Sequence, residues 1–213
     1  MNIKAQLTSR VVLQFRHPRG PYGRIAGRIM STRDTNVARN RWIAEILQPP
    51  AGAQILEIGH GPGLAIQALL PRLDGGHVTG LEISELMSRS AARRNKAAVA
   101  SGRVDFRIGD SADPPADLTE FDLIFAVNAT MFWTDPVAAV AELQTRLTPG
   151  GEIVFVYMPP PTSTEPAEAV AARTAELFTA AGLVAVEHQD MDYEPKAIAT
   201  RATRSAAGDE TSV

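Results

Sequence analysis

The chain has 213 residues, 45% apolar and 21% charged, with a net charge of −3: the make-up of one ordinary globular domain, or of a domain with a small cap. It contains no cysteine, which excludes disulfides, thiolate metal sites and cysteine nucleophiles. No stretch approaches the roughly 20 apolar residues that span a bilayer, and residues 1–10 lack the apolar run of a signal peptide, so a soluble, cytoplasmic protein is expected.

The first twenty residues read as irregular, and Pro18, Gly20, Pro21 and Gly23 break any helix there. Helices are expected over 22–30 and 35–47. In the second, Val37, Trp42, Ile43, Ile46 and Leu47 recur at helical spacing, and Pro49 and Pro50 end it. Residues 1–50 form the expected N-terminal helical cap. They hold nine Lys/Arg against two acids, a surplus of seven positive charges that leaves −10 on the remainder. Arg filling exposed helix faces is one reading of that asymmetry, and an anionic partner is the other. No aromatic-basic interleaving marks a nucleic-acid groove.

From residue 54 short apolar runs alternate with helical stretches. Strands are expected over 54–58, 77–82, 104–108, 121–127 and 152–157, with helices over 64–73, 84–100 and 136–147. Such alternation implies right-handed crossovers and a parallel sheet covered on both faces, a doubly wound α/β fold. A proline run at 159–161 precedes a helix over 166–181. Strands over 184–191 and 196–202 are close enough to form an antiparallel hairpin. The binding domain therefore spans 51–204, and the small, polar tail 205–213 is expected to be disordered.

The central motif is Glu57-Ile58-Gly59-His60-Gly61-Pro62-Gly63, where the first strand turns into a helix. Doubly wound sheets bind nucleotide-like ligands at such places. Its spacing is G-x-G-x-G, and Leu64 stands where the third glycine of the nicotinamide-dinucleotide turn belongs. Pro62 removes an N–H that a phosphate cradle would use. Glu57 adds a carboxylate, hostile to pyrophosphate and suited to an ammonium. Glu82, 19 residues past Gly63, ends the second strand, where a carboxylate can take both ribose hydroxyls. Asp110 follows the third strand and can accept the exocyclic amine of adenine, or serve as a turn residue.

Taken in order, this turn, Glu82, Gly109-Asp110 and Leu147-Thr148-Pro149-Gly150-Gly151 resemble the class I S-adenosylmethionine-dependent methyltransferase superfamily over roughly residues 35–157. The resemblance implies a seven-stranded, mostly parallel sheet whose last strand is antiparallel. It implies S-adenosylmethionine as cofactor, S-adenosylhomocysteine as product, and no metal. Gly59, Gly61 and Gly63 would pack against the cofactor, and Glu57 would lie near its ammonium. Glu82 would bind the ribose, with Asp110 and Ser111 at the adenine and Ile83 and Met87 as its apolar neighbours. His60 is expected to offer its backbone while its ring points away. Asn128 would bring a carbonyl near the ammonium.

Methyl transfer from a sulfonium is an in-line displacement in which the protein mainly aligns the reactants; no catalytic residue is assigned. Phe132 and Trp133 can line an acceptor pocket or pack as core, and Tyr22, Met30 and Asn36 are the cap residues placed nearest an acceptor. Asn128-Ala129-Thr130-Met131 lacks the motif of amino-base methyltransferases, and without a cysteine five-position cytosine methylation is excluded. A small-molecule acceptor remains, anionic or amphiphilic in view of the basic cap, on a monomer or homodimer. Three other readings stay open: a non-catalytic cofactor-binding or regulatory protein, an NAD-dependent Rossmann oxidoreductase and an aminopropyltransferase.

Overall fold

A strand covered on both sides must be apolar on both sides, and successive side chains of a strand point to opposite faces. The computed structural model describes residues 34–130, 133–160 and 163–206 and follows that rule closely. Its elements, in chain order, are α1 (Asp34–Ile46), β1 (Gln54–Ile58), α2 (Leu64–Leu69), a 3-10 turn (Leu70–Arg72), β2 (His77–Glu82), α3 (Glu85–Arg94), α4 (Lys96–Ala100), β3 (Val104–Ile108), β4 (Phe121–Val127), α5 (Pro136–Thr145), β5 (Leu147–Tyr157), α6 (Ala167–Ala180), β6 (Val184–Met191) and β7 (Ala197–Thr203).

The seven strands form one sheet in the order β3-β2-β1-β4-β5-β7-β6. Neighbours from β3 to β5 pair parallel. β7 enters antiparallel between β5 and β6. This is the expected doubly wound sheet with a reversed last strand. Ile55, Leu123, Phe125, Val154 and Val156 face α1 and α2, where Ile43, Ile66 and Leu69 meet them. Their alternates Leu56, Ile58, Ile124, Ala126, Ile153 and Phe155 face α5 and α6, against Val140, Leu143 and Phe178. α1 thus contributes to the sheet's own core. The helix expected over 22–30, and residues 207–213 of the expected tail, lie outside the described residues.

Three elements depart from the sequence expectation by more than two residues at one end or by a break. The helix expected over 64–73 gives way at Leu70 to a 3-10 turn containing Pro71, whose missing N–H cannot continue an α-helical ladder. The fifth strand begins at Leu147, which pairs with Phe121 ahead of a register shift in β4. The helix expected over 84–100 is broken at Asn95. Asn95 is buried, and its Nδ2 donates to Ala91 O at 3.0 Å and to Gly63 O at 3.1 Å. A side chain turned inward to hold another segment's carbonyl is a local reason for a break.

Asn95 therefore ties α3 to the turn that enters α2. Asn95→Ala leaves the buried Gly63 carbonyl without that donor and should lower stability by ~1–2 kcal/mol, read as a shifted urea midpoint at unchanged slope.

Candidate functional site

The parity that buries Ile55 against α1 and α2 sends Glu57 the same way, because the two residues are separated by one position on β1. Beyond Ile58 the chain turns through Gly59, Gly61 and Gly63, all at positive φ (65°, 52° and 75°). Gly59 and Gly63 are doubly required. A Cβ on Gly59 would lie 2.6 Å from Ala129 Cβ, and one on Gly63 would lie 2.8 Å from both Ala91 Cβ and Asn95 Nδ2. Gly59 N donates to Leu81 O at 2.8 Å and Gly63 N to His60 O at 3.0 Å. Arg94 Nε closes the far side on Pro62 O at 2.9 Å.

Glu82 is the clasp of this turn. Its Oε2 accepts from Gly61 N at 3.0 Å and its Oε1 from Ser84 N at 2.9 Å. The carboxylate thus joins the Gly-rich turn to the start of α3 and is itself buried. Burial pushes its carboxyl above the ordinary range, while the Ser84 and Gly61 N–H groups pull the other way. Each oxygen keeps acceptor capacity beyond its one backbone donor, so ribose hydroxyls can still be received.

Glu57 is 2% exposed, and its Oε2 is sealed from solvent with no hydrogen-bond partner. Burial, then the charge of Glu82, pushes its carboxyl up to about 8, against the Ile66 N–H and the Arg39 guanidinium. A buried carboxyl with a bare oxygen is costly by itself and is well placed to receive a cationic donor. An ammonium seated there would satisfy Oε2 and favour the charged form. The turn and this orphaned oxygen together fit the amino-acid end of S-adenosylmethionine.

The His60 side chain turns into the interior. Its ring is buried, with its centroid 4.7 Å from that of Phe106, and a Cβ on Gly80 would lie 2.7 Å from its Cδ2. Nδ1 faces Gly61 O at 2.9 Å and Nε2 faces Ser88 Oγ at 3.4 Å. A carbonyl only accepts, so Nδ1 carries the proton and Nε2 is the acceptor. Burial draws its pKa down to about 4. It is a neutral spacer between the turn and β3.

At the ends of β2 and β3, Ile83 is 46% exposed while Met87 is 3% exposed. Ile83 is thus the apolar side chain open to a flat ring, and Met87 is spent on the interior. Asp110 is exposed, with Oδ1 accepting from Ala112 N at 3.0 Å in an Asx-type turn, and Ser111 is buried. After β4, Asn128 adopts φ 52°. Its Nδ2 donates to Met158 O and its Oδ1 accepts from Met158 N, both at 2.8 Å. The side chain therefore fastens β4 to β5, and the carbonyl it can offer a ligand is that of its main chain. Trp133 packs edge-on against Phe155 at 5.2 Å, which makes it a core contact. Asn36 is half-buried on α1, its carbonyl accepting from Asn40 Nδ2 at 2.7 Å. Tyr22, Met30 and Phe132 lie outside the described residues.

Sequence reasoning missed Arg39. It lies four residues before Ile43 and seven before Ile46, on the stripe that α1 buries, and its Nε is sealed and unpartnered. A charged residue on an apolar helical stripe was the available signal. Among the described residues, no three His, Asp or Glu side chains gather as metal ligands.

A methyltransferase-domain family matches residues 55–151, from β1 into β5. The chain is 29% identical over 174 residues to an uncharacterized methyltransferase, YdaC, of Bacillus subtilis, covering 81% of this chain and 93% of that protein. It is 32% identical over 124 residues to nocamycin O-methyltransferase of Saccharothrix syringae, covering 58% of this chain and 44% of that protein. Among solved structures, a SAM-dependent methyltransferase from Aquifex aeolicus superposes with a TM-score of 0.66 at 16% identity, over 81% of this chain and 94% of that one.

The Glu57 carboxyl fixes a pH dependence. Its folded-state value near 8 lies above its ordinary 4.5, so the folded chain holds this proton more tightly than the unfolded one. Stability from this group is full below the ordinary value and falls as pH rises towards 8, by at most about 1.4 kcal/mol per pH unit. Without ligand, Glu57→Gln should flatten that fall, so the stability of the variant relative to wild type should rise from pH 5 to pH 8 in denaturant titrations. Parallel pH profiles would remove the assignment.

Proposed function

We propose a small-molecule acceptor for this chain, which belongs to the class I S-adenosylmethionine-dependent methyltransferase superfamily. One observation carries the cofactor reading: a Gly-rich turn clasped by Glu82, with an unpartnered buried oxygen of Glu57 beside it. Glu57 receives the ammonium, Glu82 the ribose hydroxyls, and Asp110, Ser111 and Ile83 border the adenine. The nocamycin O-methyltransferase relative and the missing amino-base motif at Asn128-Ala129-Thr130-Met131 favour a small acceptor over a nucleic acid. The basic surplus of residues 1–50 suits an anionic or amphiphilic one, with this segment acting as the cap over a binding domain of residues 51–204. No described helix is long and apolar enough to cross a membrane, in keeping with a cytoplasmic enzyme.

When bound, S-adenosylmethionine supplies an electrophilic methyl group on a sulfur that departs as a neutral thioether. The chain's task is then to hold the donor still and exclude water. Glu82 rigidifies the turn through Gly61 N and Ser84 N. Asn128 fixes the β4–β5 ends through Met158, beside which the acceptor approaches. His60 is buried with both ring nitrogens facing Gly61 O and Ser88 Oγ, so it is not placed as a general base, and an acceptor that must lose a proton gives it to water or to a group on the acceptor side.

Calorimetric titration with S-adenosylmethionine, S-adenosylhomocysteine and NAD tests this directly. The first two should bind at micromolar concentration and NAD should give no signal; NAD binding alone would overturn the reading. Glu82→Ala should weaken binding of both by about 1–3 kcal/mol, the scale of lost hydrogen bonds to a charged group. Stoichiometric binding without methylation of any small molecule would favour a regulatory protein.

A further inference from the structure

The loop that carries Asp110 and Ser111 joins β3 to β4 over residues 109–120, and its two halves are held differently. Residues 109–113 form a small turn of their own. Asp110 Oδ1 accepts from Ala112 N at 3.0 Å, and Asp110 O accepts from Asp113 N at 3.3 Å. Residues 115–118 are held from outside. Leu118 is buried in the core. Arg146, which follows α5, directs its Nη1 at three carbonyls: Leu118 O at 3.1 Å, Ala116 O at 3.3 Å and Pro115 O at 3.4 Å. Nη1 carries two hydrogens, which these carbonyls share. Arg146 Nε donates to Glu142 Oε1 at 2.9 Å, and this bond fixes the plane of the guanidinium.

The two halves meet where Pro115 lies over Gly109. A Cβ on Gly109 would stand 3.1 Å from Pro115 Cδ and 2.9 Å from Leu81 Cδ1. The proline ring is part of the main chain's own geometry, so it moves only as that chain moves, and Arg146 holds that chain by its carbonyls. A contiguous path therefore runs from the end of α5 through residues 115–118 to Gly109, the residue before Asp110. Arg107 grips the same loop through a fork to Asp117 at 2.7 and 3.0 Å. Those side chains are 36% and 64% exposed, and pairs in water hold weakly. The Arg146 side chain is only 14% exposed, which makes it the firmer of the two anchors.

We propose that Arg146 is a positioning residue for recognition of the cofactor's base: by holding residues 115–118 it aims Asp110 at the exocyclic amine, and so maintains selectivity for adenine over hypoxanthine. The inference rests on the reading of Asp110 as a border of the adenine. Arg146 acts through Pro115 and Gly109 and not by contact with the cofactor. Asp110 is exposed and belongs to a short turn, so the direction of its carboxylate is set by the main chain that carries it. A hydrogen bond weakens steeply when its donor and acceptor are misaligned. Hypoxanthine bears a carbonyl where adenine bears the amine, and a carboxylate, which only accepts, cannot pair with it. Preference between the two bases therefore reads the aim of Asp110.

Calorimetry on the full-length protein tests the assignment with S-adenosylhomocysteine and its hypoxanthine counterpart, S-inosylhomocysteine. Wild type should prefer the first by about 10-fold, the low end for a hydrogen bond to a charged acceptor, and Asp110→Ala should abolish the preference. Arg146→Met should lose most of it while binding S-inosylhomocysteine as wild type does, and Arg146→Lys should recover part. Added to Asp110→Ala, Arg146→Met should change the ratio no further, since the two residues act through one contact. Equal weakening of both ligands, or an unchanged preference, would assign Arg146 a purely structural role and overturn the proposal. If Arg146→Met does not fold, Pro115→Ala decides: it keeps the carbonyl and removes the ring over Gly109, so the preference should fall, and an intact preference overturns the proposal. Failure of wild type to bind either ligand or to prefer adenine, or a preference that survives Asp110→Ala, defeats the underlying adenine reading. A preference lost in Asp110→Ala and kept in Arg146→Met defeats this inference alone.

Discussion

Two carboxylates sealed from water at the ends of adjacent parallel strands are the constraint around which this molecule is arranged. Strand parity sends Glu57 from β1 to the side covered by α1 and α2, and Glu82 ends the neighbouring β2. The charge of Glu82 pushes Glu57 towards its neutral form, and burial pushes both. A fold tolerates this only by bringing donors to them. Glu82 has two, Gly61 N and Ser84 N, and they require the turn to pass close over the end of β2. That path demands the left-handed glycines, the small Ala91 and Ala129 beside them, and the break in the helix at Asn95. The turn's shape is therefore a consequence of where a carboxylate must find its N–H groups.

The two acids are treated unequally. Glu82 is compensated by the backbone and acts as a strut. Glu57 keeps an unpartnered oxygen and is the unfinished half of the pair. Stability draws on that atom through pH: a neutral isostere relieves the folded chain as pH rises. Each buried polar atom without a partner calls for an explanation, a bound ligand being one. Arg39 Nε, on an element that sequence alone placed in a cap, and Asn95 Oδ1 are the others among the described residues.

Much of the frame was legible. β1, β2, β3, β4 and β6 have the expected limits, because each is a short apolar run bounded by turn residues, and burial on both faces forbids slippage. The order of acids and glycines along the chain marked out the Gly-rich turn for the same reason: these residues act through the backbone that carries them. What stayed hidden depends on partners far away in sequence. Asn95 breaks a helix for a carbonyl 32 positions earlier. Asn128 was expected to bring a carbonyl near the ammonium, and the sequence did not show that its side chain is taken by Met158, 30 residues on. Met87 was expected beside the adenine and is buried, and Trp133, left open between acceptor pocket and core, packs against Phe155, since periodicity does not say which apolar side chain the interior will take. Arg39 was counted as one more positive charge in a basic head, although its place on the buried stripe of α1 set it apart.

The division between frame and reader has a physical basis. A sulfonium donor brings its own leaving group, so the chain need supply neither metal nor nucleophile to move a methyl group. The demand falls instead on recognising the donor and aligning it with the acceptor. Glu57 is fixed by β1 and the Ile66 N–H, and Arg39 by a helix whose next turn is locked in the core. Rigid elements hold each side chain, and each keeps an unpartnered buried atom.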